Sequence, residues 1–436
     1  MDELPAVVVG AGPVGLAAAA QLVERGLTPL VLEAGPQAGA AVAQWNHVRL
    51  FSQWSELVDP AAERLLAPTG WQRPEPTAYP TGAEWARDYL RPLAAVLGDK
   101  VRFSARVTGV ARRGRDLVVD AGRDTEPVTV HVVTDHGEER ITARAVIDAS
   151  GTWGSPNPLG GDGLPALGEI ASSDRISYRV PDLADPAVRE RYSGKRIAVA
   201  GSGHSALTAL VALADVPDVK IVWLLRRGAT GTVFGGGDAD QLPARGALGL
   251  RAKAAAEAGF VETVTGFRTA AVQPDGDGRL VLESFDGHKL DPVDEIVVLT
   301  GFRPDLSWLS EVRLDLDPVL QAPRALAPLI DPNVHSCGTV YPHGVKELTQ
   351  PEPGVFVVGM KSYGRAPTFL AMTGYEQVRS VVAALAGDHE AAGRVELTLP
   401  ETGVCGGAGV FDEPAQDTGG CCGPAEVTLT APSAAR

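Results

Sequence analysis

Ala6-Val7-Val8-Val9-Gly10-Ala11-Gly12-Pro13-Val14-Gly15-Leu16-Ala17-Ala18-Ala19-Ala20 is a β-type run, a glycine turn and an apolar helix-like run in direct succession. Each glycine answers a separate steric demand. Gly10 permits the tight turn, Gly12 lets a ligand approach the backbone, and Gly15 lets the helix pack closely on the strand. The turn presents N–H groups at a helix N-terminus, where the helix dipole favours an anion such as a pyrophosphate. Pro13 falls at the helix start, where a missing N–H costs nothing. Further along, Pro29-Leu30-Val31-Leu32 reads as the next strand and ends at Glu33. A carboxylate at that spacing accepts hydrogen bonds from an adenosine ribose.

The pattern recurs. Ile197-Ala198-Val199-Ala200 leads into Gly201-Ser202-Gly203-His204-Ser205-Ala206, with Ala206 in place of the third glycine. The following run, Val219 to Leu225, ends in Arg226-Arg227 and carries no acid. An acid there would repel a 2′-phosphate, whereas arginine can pair with one. NADPH is therefore expected over NADH, the alternative being two solvated surface arginines. His204 is expected to pack or cap rather than move protons. Two fingerprints in one chain point to two dinucleotides, a resident flavin (FAD) at the first and a visiting NADPH at the second. The residues expected to hold them are Gly10, Gly12, Pro13, Gly15 and Glu33, then Gly201, Gly203, Ser205, Arg226 and Arg227, with Gly151, Gly301, Gly359 and Thr368 at later turns.

The expected fold is α/β, with two Rossmann-like domains, the NADPH domain inserted in the FAD domain, and a small antiparallel sheet. Residues 1–155 form the first part of the FAD domain, 156–193 a linker, 194–310 the NADPH domain and 311–397 the returning part of the FAD domain. Residues 398–436, rich in Gly, Ala, Thr and Pro, form a flexible tail. Residues 36–80 read as irregular. Thr81-Gly82-Ala83-Glu84 reads as a capping box opening a helix to about Val96. Alternation near 104–112, 117–120, 127–134 and 139–148 suggests antiparallel strands. Val355 to Val358 reads as a strand completing the first sheet, followed by a helix from about Thr368 to Leu385 aimed at the flavin ring.

With 436 residues, 44% of them hydrophobic, the chain can bury two or three cores. A formal net charge of −15 argues against nucleic acid or an acidic membrane surface as partner. The apolar opening is flanked by Asp2 and Glu3 and contains the nucleotide glycines, so it is not read as a signal peptide. Nothing else approaches a membrane span. Few cysteines, mostly at the far end, argue against a secreted disulfide framework, and cytoplasm is the default. The sequence leaves oligomeric state open.

In order, the glycine fingerprint, Glu33, Ile147-Asp148-Ala149-Ser150-Gly151-Thr152, the second fingerprint and Thr300-Gly301-Phe302-Arg303-Pro304 resemble the signposts of two-dinucleotide flavoproteins of the flavin monooxygenase class. Trp45-Asn46-His47-Val48-Arg49-Leu50-Phe51-Ser52, Tyr79-Pro80-Thr81-Gly82, Gly359 to Thr368 and Thr373-Gly374-Tyr375-Glu376-Gln377 resemble flavoproteins associated with arsenic-resistance gene clusters. The resemblance implies FAD and NADPH. It further implies a monooxygenase or oxidoreductase acting on a small molecule, with an arsenical as one candidate substrate. The chain departs from the class in two places. The linker stretch Gly168 to Tyr178 lacks the class's Phe and His, and Gly359-Met360 stands where many relatives have Gly-Asp.

A flavin supplies redox chemistry, and the protein supplies position and charge. Trp45, Phe51, Trp54 and Phe369 are candidate pocket walls or ordinary core aromatics. Ser52, Arg365 and Thr368 are the catalytic candidates, with Arg49 and Gln53 as further flavin-edge contacts. Arg303 is a candidate to face the nicotinamide, and His343 and Tyr363 are candidate proton donors. No Cys-x-x-Cys follows either fingerprint, and Cys337 reads as a small buried hydrophobe. Cys405, Cys421 and Cys422 lie among glycines. They could ligate a soft metalloid such as trivalent arsenic, accept electrons as a disulfide, or do neither. Three readings follow: a monooxygenase, a reductase working through the tail cysteines, or a metalloid-binding or sensing flavoprotein without turnover.

Overall fold

The computed structural model describes residues 3–230, 233–240, 242–333, 342–367 and 369–397. Its first sheet is parallel and has five strands: β1 (Ala6–Val9), β2 (Pro29–Leu32), β3 (Val101–Arg102), β7 (Ala145–Asp148) and β15 (Val355–Val357), in the order β15-β7-β1-β2-β3. Val9 lies opposite both Leu32 and Asp148, so the first glycine turn, Glu33 and the end of β7 open at one edge of the sheet. Ligands of open parallel sheets bind at this carboxyl edge. β15 comes from more than 200 residues downstream of β7 and closes the sheet, the expected return of the chain.

On one face of this sheet lie the helix Pro13–Glu24 and the helix Ala371–Leu385. On the other lies the antiparallel sheet β4 (Arg106–Arg112), β5 (Val128–Thr134) and β6 (Gly137–Ala143). The second parallel sheet combines β8 (Ile176–Ser177), β9 (Arg196–Ala200), β10 (Lys220–Leu224), β11 (Val261–Val264) and β14 (Glu295–Val298), in the order β11-β10-β9-β14-β8. A hairpin, β12 (Thr269–Pro274) and β13 (Leu280–Ser284), packs against it. This is the α/β architecture with two Rossmann-like cores and a small antiparallel sheet.

Several local expectations are corrected. Residues 117–120 form no strand. Asp116 Oδ1 accepts the N–H groups of Val118 and Val119, which bends the chain into a turn and leaves Val118 84% exposed. The irregular stretch 36–80 contains the helix Pro60–Leu66, opened by Asp59 as N-cap with Pro60 behind it. The hairpin β12–β13 was not expected. The capping box at Thr81 and Glu84 forms as read, but the helix passes through a π segment, Ala86–Leu90, before Arg91–Leu97. Pro92 has no N–H for the carbonyl of Asp88, which accepts from Trp71 Nε1 instead at 2.7 Å. Among the described residues, no helix is long and apolar enough to cross a membrane.

Candidate functional site

In the first turn Gly10 has φ +99°, and a Cβ there would meet Ala149 O at 2.9 Å. At Gly15 a Cβ would lie 1.9 Å from Gly10 O, so this glycine is needed for the helix to touch the strand. Gly12 differs: a Cβ there meets nothing within 4 Å. Its absence leaves a concavity at a helix N-terminus, the shape a pyrophosphate requires. Pro13 is the first helical residue. Glu33 accepts from Ala11 N–H and Gly35 N–H, each at 2.7 Å. The acid whose spacing points to a ribose thus also braces the glycine turn.

The second turn repeats this division. Gly201, at φ +131°, would place a Cβ 2.3 Å from Leu299 O, while Gly203 faces open space. Ser205 is exposed in the first turn of the helix His204–Ala214, and Ala206 is fully buried behind it. His204 meets the Phe51 ring edge-on, with centroids 5.4 Å apart. Burial, and then the charge of Arg245, push the imidazole down to about 4, so it is neutral at pH 7. It packs, as expected, and it brings the Ser52 loop onto the second fingerprint. Arg226 and Arg227 follow β10; Arg226 is exposed, Arg227 partly buried. Burial, and then the neighbouring Arg226, lower the proton affinity of Arg227.

Between the two sheets the chain crosses at Gly151 and returns at Gly301, both at positive φ. Asn157 joins the crossings: its N–H donates to Gly301 O and its Nδ2 to Thr300 O, both at 2.9 Å. The Arg179 guanidinium stacks on Trp153 at 3.8 Å from the ring centre and reaches Phe302 at 5.3 Å. Its Nη2 also donates to Trp153 O, and Trp153 Nε1 donates to Gln44 Oε1. Four stretches from different parts of the chain meet in this one cluster.

After β15, Gly359 turns at φ +68° against Val14 of the first fingerprint helix. Its N–H donates to Gln377 Oε1 at 2.7 Å, while Gln377 Nε2 reaches both Ser362 Oγ and His343 Nε2. Lys361, 1% exposed, lies 2.7 Å from Asp148 Oδ2, 3.1 Å from Ser150 Oγ and 4.5 Å above the Trp308 ring. This buried pair ties the end of β7 to the segment after β15. Tyr363 is buried beside Phe369, and burial raises its pKa, which opposes proton donation. Arg365 donates to Gln321 Oε1 at 2.9 Å. Trp54 is a core residue and Trp45 packs near Trp85.

Thr368, Cys337, Cys405, Cys421 and Cys422 lie outside the described residues. Among the described residues no group of three His, Cys, Asp or Glu could hold a metal ion. Asp148–Lys361, Arg179 with Trp153, and the linker acid Glu169 were not singled out from sequence. A lone Lys or Arg carries no local signal for a partner brought by another segment.

Two parallel sheets, each with an open glycine cradle at its carboxyl edge, define a two-dinucleotide oxidoreductase fold. The chain belongs to the pyridine nucleotide-disulphide oxidoreductase family, whose family model matches residues 7–338. This is an FAD-binding family with NADP-dependent relatives. The chain is 28% identical over 314 residues to a ferredoxin–NADP reductase of Cupriavidus metallidurans, covering 71% of this chain and 74% of that protein. It is 29% identical over 203 residues to an indole-3-pyruvate monooxygenase of Oryza sativa, covering 46% and 43%. Among solved structures, it is similar to the bacillithiol disulfide reductase of Bacillus cereus, with a TM-score of 0.65, 18% identity and coverage of 88% and 99%.

Proposed function

We propose that this chain is an FAD- and NADPH-dependent monooxygenase acting on a small molecule. The observation that carries the reading is the pair of cradles at Gly12 and Gly203, each open where a Cβ would stand and each at a helix N-terminus. The first set, Gly10, Gly12, Pro13, Gly15 and Glu33 with Gly151 and Gly359 nearby, would hold FAD, which when bound supplies two-electron redox chemistry. The second set, Gly201, Gly203 and Ser205 with Arg226 and Arg227, would hold NADPH. The chain lacks Cys-x-x-Cys, and this favours a small-molecule acceptor over a dithiol relay. The likeness to a monooxygenase supports the same reading. A trivalent arsenical is the first substrate to try, on the resemblance of the Trp45–Ser52 and Gly359–Thr368 stretches.

The second reading is a reductase that passes electrons to another protein or to the tail cysteines. It is favoured by the ferredoxin–NADP reductase relatives, which match 71% of the chain. One experiment separates the two. Flavin released from the purified protein is identified, and NADPH oxidation is followed together with oxygen uptake, with and without a trivalent arsenical. Oxygen uptake matched to product supports the monooxygenase. NADPH oxidation that reduces a ferredoxin without oxygen supports the reductase. Turnover lost in a Cys405/Cys421/Cys422 triple serine variant moves the acceptor to the tail.

A further inference from the structure

The linker between the two sheets builds a cavity that neither fingerprint uses. It has a volume of about 330 Å³ and lies where the segment 156–170 folds back towards Arg303. That size falls at the lower end of small-ligand pockets, roughly 300–1,000 Å³. Its chemistry is lopsided. Pro156, Pro158 and Pro165 line it and bring no backbone N–H. Leu164 and Ile170 also line it, yet they are 65% and 77% exposed, and Leu167 between them is 75% exposed. Three large apolar side chains held in water along one short segment mark a binding surface rather than a core.

Among the described residues that line it, Arg303 is the only cation. Its Nε donates to Asn157 Oδ1 at 2.9 Å and its Nη2 to Gly163 O at 3.0 Å, both neutral acceptors. A guanidinium has five N–H donors, so three are left over. Glu169, the only acid among the described lining residues, is spoken for. It is 1% exposed and accepts from Leu159 N–H, Ala166 N–H and the Tyr178 hydroxyl at 2.9, 2.7 and 2.6 Å. Asp162, nearby in the loop, caps Leu164 N–H. Burial, and then the charge of Arg365, lower the proton affinity of Arg303. An anion beside Arg303 would offset both effects.

We propose that this cavity is a binding site for a small organic carboxylate. Arg303 would hold the carboxylate through its remaining donors, and the prolines, Leu164 and Ile170 would cover the apolar body. A neutral amide of the same shape would keep the apolar contacts and lose the charge-assisted ones, which are about twice as strong as neutral hydrogen bonds.

The test is calorimetric titration of the FAD-loaded protein with benzoate and with benzamide, with no turnover required. Saturable benzoate binding at least tenfold tighter than benzamide is expected. Arg303→Gln should remove that preference with flavin content unchanged. Ile170→Glu, at an exposed position that cannot disturb the core, should weaken benzoate more than benzamide by placing a carboxylate at the opening. Equal affinity for the two probes, absence of binding, or benzoate binding unaffected by either substitution would overturn the proposal. Displacement of benzoate by NADP⁺, with NADP⁺ binding weakened equally by Arg303→Gln, would overturn it too, because the cavity would then be part of the nucleotide site.

Discussion

The glycines of each fingerprint are not equivalent. Gly12 and Gly203 face open space, so a Cβ there meets no protein atom within 4 Å. Gly12→Val should therefore fold but purify without flavin. Gly203→Val should purify yellow and fail to be reduced by NADPH. Absorption spectra and anaerobic reduction check both, and a Gly12→Val protein that retains full flavin would remove the first cradle from consideration. Gly15→Val, by contrast, should fail to fold, because the helix would have to leave the strand. The buried pair of Asp148 and Lys361 makes a second prediction at this scale. Lys361→Met strands a buried carboxylate and should cost about 3–5 kcal/mol in chemical denaturation, whereas adding Asp148→Asn should recover most of the loss. A single variant as stable as the wild type would show that the pair is not closing the sheet.

At the scale of the element, the helix Pro60–Leu66 carries a pH dependence. Asp59 caps it, with Oδ1 accepting Ala62 N–H at 2.9 Å, and the residue is 1% exposed. Burial raises its pKa from 3.8 to about 6, although the cap and Gln21 favour the charged form. The folded state therefore prefers the protonated acid. Its contribution is fully present below about pH 3.8 and is lost as pH rises through about 6. Asp59→Asn keeps a capping oxygen without the charge. It should equal or exceed the wild type in thermal stability at pH 8, and its relative advantage should shrink towards pH 4. An advantage that grows on acidification would reverse the argument. The elements also show which local signals carry weight. The Thr81 capping box formed as read because its two hydrogen bonds lie within four residues. The alternation at 117–120 failed because Asp116, just before it, offered the backbone a turn instead.

Across the whole molecule, Arg179 packs on Trp153 and Phe302 where the two sheets are joined. Cation–π contacts are worth about 0.5–1 kcal/mol when exposed and about 2 when desolvated, and partly buried Arg179 lies between, enough to change a population severalfold. Arg179→Ala should leave secondary structure and flavin content intact while broadening the distribution of distances between spin labels on the two sheets. An unchanged distribution would show that the cluster does not hold the sheets in place. The acid Glu352 plays a similar part within the first unit. It is 2% exposed and bonded by Arg112 and Arg123, joining the antiparallel sheet to the turn before β15. Burial opposes its charge, yet the two guanidiniums hold its carboxyl below the usual range.

Consecutive residues determined the two glycine turns, the strands that enter them and the helices that leave them. Those motifs are built from hydrogen bonds and steric limits spanning a few positions, and they made the α/β fold and both glycine turns legible in the sequence. Glu33 was legible too, since one βαβ unit fixes its distance from the glycines. Only the tertiary structure decided that Lys361 meets Asp148, that Arg179 stacks on Trp153 and Phe302, that the linker surrounds Glu169, and that Arg303 faces a cavity rimmed by exposed Leu164 and Ile170. Each of these depends on segments distant in sequence being brought together by the return of the chain, and a single charged residue bears no mark of the partner that will arrive.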